Sequence, residues 1–187
     1  MSAGCGDSQY CIPWPATRYP VITMVQQSVE NAVQILSTTD EVRAGVLEIA
    51  RLAKRSITIL TPDLETGIYD DQAFLDVIKH LVLSGSYASV RVLISDPANA
   101  VRNGNRFVEL GRRLHSYIEF RNLHEKYRDS MKDAYIIADD FAILYRKDCR
   151  RPDSVMGTNE PPVAKQQLQV FEQPWEDSVF RYAVPSD

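Results

Sequence analysis

Apolar and polar positions along this chain fall into two alternating patterns. Val33, Ile35 and Leu36 form a short apolar run, closed by the polar stretch Ser37-Thr38-Thr39-Asp40. Thr38 and Glu41 stand at capping-box spacing, in which a hydroxyl and a carboxylate each satisfy an end-of-helix amide. Val42, Val46, Ile49, Ala50 and Ala53 recur at helical spacing up to Lys54-Arg55, two cations suited to a helix C-terminus. Ile57–Leu60 then reads as a β-branched strand stopped by Thr61-Pro62-Asp63.

The unit repeats. Asp70 is placed to cap a helix whose buried face is Phe74, Val77, Ile78, Leu81 and Val82, ending near Gly85. Val90, Val92, Leu93 and Ile94 make the next strand. A third helix is marked by Phe107, Leu110, Gly111 and Leu114 after Asn105, and leads into a strand at Tyr117–Arg121. Strands alternating with helices of this length imply parallel pairing through right-handed crossovers. Two strands without a helix between them follow, Ala134–Ala138 and Phe141–Tyr145, joined by Asp139-Asp140 as a hairpin turn. Pro161-Pro162 opens a last helix with Ala164, Leu168, Phe171 and Trp175 on its apolar face, and Pro174 is expected to end or kink it. The first 20 residues, with Pro13, Pro15 and Pro20 among Tyr10, Trp14 and Tyr19, sustain neither helix nor central strand. The expected organisation is a flexible or draped arm over residues 1–30, one α/β domain over 31–184, and a tail at 185–187.

Composition narrows the class. At 187 residues and 44% hydrophobic, the chain is long enough for one domain with a real core. It has no run of about 18 apolar residues and no secretory-type start, so the expectation is a cytoplasmic protein without a membrane span. Cys5, Cys11 and Cys149 form no CxxC, which predicts reduced thiols rather than disulfides or zinc. The net charge of −4 is uneven: residues 101–151 hold 12 Lys/Arg against 8 Asp/Glu, while residues 1–100 hold 7 against 11 and residues 152–187 hold 2 against 6. An acidic chain therefore carries a basic middle.

Candidate chemistry is sparse. His80 lies beside the apolar stripe of the second predicted helix and His115 at the end of the third, where a structural role is expected. His124 alone sits in a polar, basic loop, and with Lys126 it forms His-x-Lys, in which an imidazole attacks phosphorus while an ammonium along the same strand edge neutralises its oxygens. No GxGxxG, P-loop, GxSxG or HExxH occurs, and no cofactor is expected. Asp133, Asp139 and Asp140 cluster in sequence, but Asp139-Asp140 is first a turn, and no metal is assigned.

The stretch Ala50–Asp63, Ala-Arg-Leu-Ala-Lys-Arg-Ser-Ile-Thr-Ile-Leu-Thr-Pro-Asp, resembles the helix-then-strand opening of a phospholipase-D-like domain. The hairpin Asp133–Tyr145 resembles that fold's motif strand and its return, and the last helix its closing helix. Gly104-Asn105-Arg106-Phe107 through Arg112-Arg113-Leu114, Tyr127-Arg128-Asp129 and Ile137-Ala138-Asp139-Asp140 resemble an uncharacterised bacterial family of single phospholipase-D-like domains, some attached to or encoded with GNAT-type acetyltransferases. The likeness spans residues 35–178. It implies an α/β/α domain with a mixed, mostly parallel sheet, a late antiparallel hairpin and helices on both faces. It also implies a homodimer, or an acetyltransferase partner.

Active members of that superfamily carry His-x-Lys, four residues, Asp, six residues, then Gly-Ser-x-Asn. The resemblance lays that frame on Asp133, Tyr135 and Asp140, with Lys147, Asp148 and Arg150 where Gly, Ser and Asn belong. Only Asp140 matches, so the implied protein is catalytically silent, with a binding or scaffolding role. Arg121, Lys126, Arg128, Lys147, Arg150 and Arg151 are its candidate contacts to a phosphate-bearing ligand, nucleic acid or an acidic partner. Two alternatives stand beside it: a phosphodiesterase using His124 and Lys126, and a surface whose charges only solvate two loops.

Overall fold

The structure, a computed structural model, describes residues 33–85, 87–96 and 105–180. The expected arm, the expected tail, Cys5 and Cys11 lie outside the described residues. The chain order is β1 (Val33–Leu36), α1 (Thr39–Leu52), β2 (Ser56–Thr61), α2 (Gln72–Ser84), β3 (Ser89–Ile94), α3 (Arg106–Arg113), β4 (Ile118–Asn122), α4 (Glu125–Arg128), β5 (Ala134–Ala138), β6 (Ala142–Arg146), β7 (Ser154–Gly157), α5 (Pro161–Asp177) and β8 (Val179–Phe180). The strands form one sheet in the order β1-β7-β6-β5-β2-β3-β4-β8.

The sheet is mixed, as expected, but parallel pairing is confined to β2, β3 and β4. The ladders β1–β7, β7–β6, β6–β5, β5–β2 and β4–β8 are antiparallel. The correction from a mostly parallel sheet has a simple cause. The chain leaves the helix-crossover pattern after β4, and each later strand reverses direction on its neighbour. β7 and β8 lie where no strand was expected, being too short for a pattern of alternating positions.

Each helix begins for a local reason. The Thr38 hydroxyl accepts from Glu41 N at 3.2 Å while the Glu41 carboxylate accepts from Ser37 N and Thr38 N at 2.8 and 3.1 Å, completing the predicted capping box. These contacts hold the Glu41 carboxyl below its ordinary range. α2 is capped by Asp71, which accepts from Ala73 N at 2.8 Å, and not by Asp70, whose carboxylate accepts from Gly67 N in the preceding turn. α5 starts on Pro161-Pro162 as predicted, yet runs through Pro174 to Asp177.

The two faces of the sheet carry separate cores, because strand side chains alternate. Ile57, Ile59, Val90, Val92, Ile136 and Leu144 pack with helices α1, α2 and α3 on one face. Leu60, Leu93, Tyr135, Ile137 and Ile143 pack with Phe171 and Trp175 of α5 on the other. Helix α1 lies very close to the sheet at Gly45, where an added Cβ would come within 2.8 Å of Leu36 and Leu144. Arg91 fastens α5 to the sheet: it lies 5.0 Å from the Phe171 ring centre and pairs with Glu172 through two bonds of 2.9 and 2.8 Å.

Candidate functional site

Strand direction decides what meets what. The C-terminal ends of β2, β3, β4 and β6 and the N-terminal ends of β5 and β7 all reach one rim of the sheet. The segments after Thr61, before Ala134, after Asn122 and after Arg146 therefore share that rim. It gathers Asp63, Glu65, Asp133, Arg146 and the basic loop Lys147–Arg151.

Arg146 is the rim's organiser. Its side chain is 7% exposed, pairs with the Glu65 carboxylate, and donates to the carbonyls of Arg151 (3.1 and 3.0 Å) and Cys149 (2.6 Å). A buried guanidinium is tolerated only with such partners, and here they shape the loop that follows β6. The sequence reading missed Arg146, although its parity was legible: it alternates with Leu144 and Ala142, so a strand that buries those residues buries Arg146 too. Asp63 stands close by with one carboxylate oxygen buried and unpaired among the described residues. Burial first, then Glu65 and Asp96, raise its carboxyl above the ordinary range.

The three positions of the motif frame part company. Asp133 precedes β5 on the rim, and burial raises its carboxyl as well. Tyr135, at the lysine position, is 1% exposed, stacks on Tyr145 at 6.3 Å between ring centres, and packs among Leu60, Leu123 and Phe171. Its hydroxyl has no hydrogen-bond partner among the described residues, and burial drives its pKa strongly up. Asp140 sits past the opposite end of β5, a strand of 5 residues that at about 3.3 Å per residue is roughly 17 Å long. There it is exposed and meets Lys165 at 3.3 Å. Its neighbour Asp139, with φ of 52°, holds the turn by accepting from Lys54 N, Arg55 N and Ser56 N at 3.0, 2.9 and 2.8 Å.

His124 and Lys126 do not share a strand edge. His124 caps the single-turn helix α4, its Nδ1 accepting from Lys126 N at 3.3 Å, and Lys126 turns to Asp177 at 2.8 Å. Lys126, Tyr127 and Gln173 together hold the Asp177 carboxyl far below its ordinary range. Arg121 is also committed, lying 4.3 Å from the Trp175 ring centre and bonding Glu119 at 2.6 Å and the Trp175 carbonyl at 2.8 Å. Of the six candidate cations, Arg128, Lys147, Arg150 and Arg151 remain exposed, with no ion pair among the described residues. The described residues contain no group of three His, Cys, Asp or Glu side chains suited to a metal ion. No described helix is long and apolar enough to cross a membrane.

A mixed sheet flanked by helices, with an antiparallel hairpin beside a parallel trio, defines a phospholipase-D-like α/β domain. Residues 38–183 match the family described as a domain of unknown function (DUF7931), and the chain belongs to that family. Among solved structures it is similar to the archaeal chromatin protein TrmBL2, with a TM-score of 0.60 and 11% identity over 84% of this chain and 57% of that one. It is also similar to Nuc of Salmonella typhimurium, a phospholipase D family member, with a TM-score of 0.55 and 19% identity over 81% of this chain and 99% of that one. NucT from Helicobacter pylori gives a TM-score of 0.53 and 15% identity over 81% of this chain and 100% of that one. These likenesses are likenesses of fold. A comparison with curated proteins found no match.

Proposed function

We propose that this chain is a catalytically silent phospholipase-D-like domain that binds nucleic acid along its rim. One observation carries the first half. Tyr135 stands where the resemblance expects the phosphate-holding lysine, and it lies in an apolar cluster closed by Leu123, with Tyr127 and Met131 packed against it. The cation that acts on Tyr135, Arg91, is already paired with Glu172 through two bonds, so a phosphate there would lose its hydration without gaining a free cation.

The second half rests on the four exposed cations. Arg128 follows β4, while Lys147, Arg150 and Arg151 follow β6; four strand intervals of about 4.8 Å separate the two groups, roughly 19 Å along one rim. That span suits successive phosphates of a strand better than one small anion. The carboxylates of Asp63, Glu65 and Asp133 are less exposed than these cations. The fold likeness to TrmBL2, whose structure is described as showing a novel mode of DNA binding, favours nucleic acid among phosphate-bearing ligands.

Fluorescence anisotropy with a labelled 20-nucleotide single strand, from low to moderate salt, tests the reading. Four phosphate contacts predict a slope of log K against log salt near about −3, reduced by about 0.7 for each cation replaced with alanine. Absence of binding at low salt, or binding unchanged when Lys147, Arg150 and Arg151 are all replaced, overturns it. Turnover of a bis-phosphodiester that vanishes in His124→Ala would establish the catalytic alternative instead. Light scattering at micromolar concentration tests the homodimer implied by the resemblance, and co-purification tests the acetyltransferase partner.

A further inference from the structure

We propose that Arg146 is the centre of a second, deeper site on the rim that takes a phosphate monoester, and that Glu65 occupies it as an internal stand-in for the phosphoryl group. The inference deepens the binding reading above, but concerns a terminal phosphate rather than the bridging phosphates of a strand.

Arg146 presents its guanidinium in an asymmetric setting. The carbonyls of Cys149 and Arg151 take the Nε and Nη2 side, and the Nη1 edge faces the Glu65 carboxylate. Those carbonyls are fixed by the loop backbone, whereas Glu65 is a side chain 26% exposed on the solvent side. Leu64 and Tyr69 anchor its loop in the core, and Asn105 holds the Leu64 carbonyl at 2.9 Å, so rotation of Glu65 alone opens the edge.

Two further groups lie in the same region of the rim, each with a buried polar atom unpaired among the described residues. Ser154 is 3% exposed and its Oγ makes no hydrogen bond among the described residues. The register Leu144↔Met156 and Tyr145↔Val155 carries on to place Ser154 beside Arg146 on the same face of the sheet. Asp63 Oδ1 is likewise buried and unpaired, and Asp63 faces Arg146, Glu65 and Asp96. A buried polar atom without a partner is unusual and marks a place where a donor or an acceptor belongs.

A phosphate monoester in its monoanionic form matches this set. Its charged oxygens accept from Arg146 Nη1 and from the Ser154 hydroxyl, while its remaining P–OH donates to Asp63 Oδ1. A phosphodiester has no such proton and meets Asp63 as a like charge. The exchange also conserves charge, since one carboxylate leaves as one anion enters, so the buried guanidinium is never left unpaired.

Thermal unfolding of the full chain in a zwitterionic buffer at pH 6 tests this with inorganic phosphate as the probe. Glu65→Gln removes the resident charge. It is expected to melt below the parent protein without phosphate and to recover saturably with it, at a half-effect concentration at least tenfold lower than the parent's. Sodium chloride of equal ionic strength and dimethyl phosphate are expected to restore nothing. Ser154→Ala in the Glu65→Gln background is expected to weaken the phosphate response severalfold. If Glu65→Gln does not purify, Glu65→Ala, which likewise removes the carboxylate, is read the same way. The proposal is overturned if phosphate and chloride act alike, or if the variant and the parent respond equally to phosphate. Replacing Lys147, Arg150 and Arg151 separates the two readings: that variant is expected to lose the oligonucleotide while the phosphate response of Glu65→Gln in the same background persists.

Discussion

Asp139 and Asp140 are adjacent in sequence and should differ sharply when removed. Asp139→Ala deletes a carboxylate that accepts from three backbone amides belonging to the α1–β2 connection, 83 to 85 residues away. A hydrogen bond to a charged group contributes about 1.5–3 kcal/mol, less where water can replace the lost partner. Lys54 and Arg55 are exposed, and the Ser56 bond is partly buried, so one full bond and two discounted ones sum to about 3 kcal/mol. Alanine must also hold the left-handed φ of 52° that aspartate tolerates, adding up to about 1 kcal/mol. For a chain of this length the loss corresponds to a fall in Tm of roughly 6–16 °C. Asp139→Gly relieves the backbone but not the amides, so it should lie about 1 kcal/mol above Asp139→Ala. Asp140→Ala removes only the exposed contact to Lys165 and should stay within about 0.5 kcal/mol of the parent. Urea unfolding of all three variants reads these differences directly. A cost below about 1 kcal/mol for Asp139→Ala, or an equal cost for Asp140→Ala, refutes this account of the turn.

Other outcomes follow from the same geometry. Burial raises the Asp133 carboxyl on folding, so the folded state binds a proton more tightly than the unfolded chain, and stability falls as pH rises from the unfolded pKa of 3.8 through the folded value. Asp133→Asn should remove that fall, making the variant more stable than the parent at pH 7 and nearly equal below pH 4; parallel curves by thermal unfolding would refute it. Gly45→Ala pushes a methyl against Leu36 and Leu144 and should cost about 1–3 kcal/mol by chemical denaturation. Placing a lysine at the buried position with Tyr135→Lys should not create a phosphate site. It buries an ammonium in the apolar cluster under α5 and should cost about 3 kcal/mol or more, seen as a lower urea midpoint.

Much of the fold was legible because its signals are local. The capping box at Thr38, the hairpin at Asp139-Asp140 and the prolines opening α5 all appeared where residue chemistry placed them. Misplaced features depended on distant partners. Asp70 and Asp71 are equivalent as cap residues, and only the turn at Gly67 decides which carboxylate is free to cap. Lys126 and Arg121 read as anion contacts until Asp177 and Trp175, more than fifty residues on, are brought against them.

By itself, then, the sequence determined the class of the domain and the order of its main elements, since each is written in residue type and spacing. Only the tertiary structure decided that the sheet is largely antiparallel, that Asp139 rather than Asp140 braces the hairpin, and that a buried arginine organises the rim. The physical reason is common to all three. Strand direction and charge pairing are settled by groups far apart along the chain, and burial makes those pairings too costly to leave unmet.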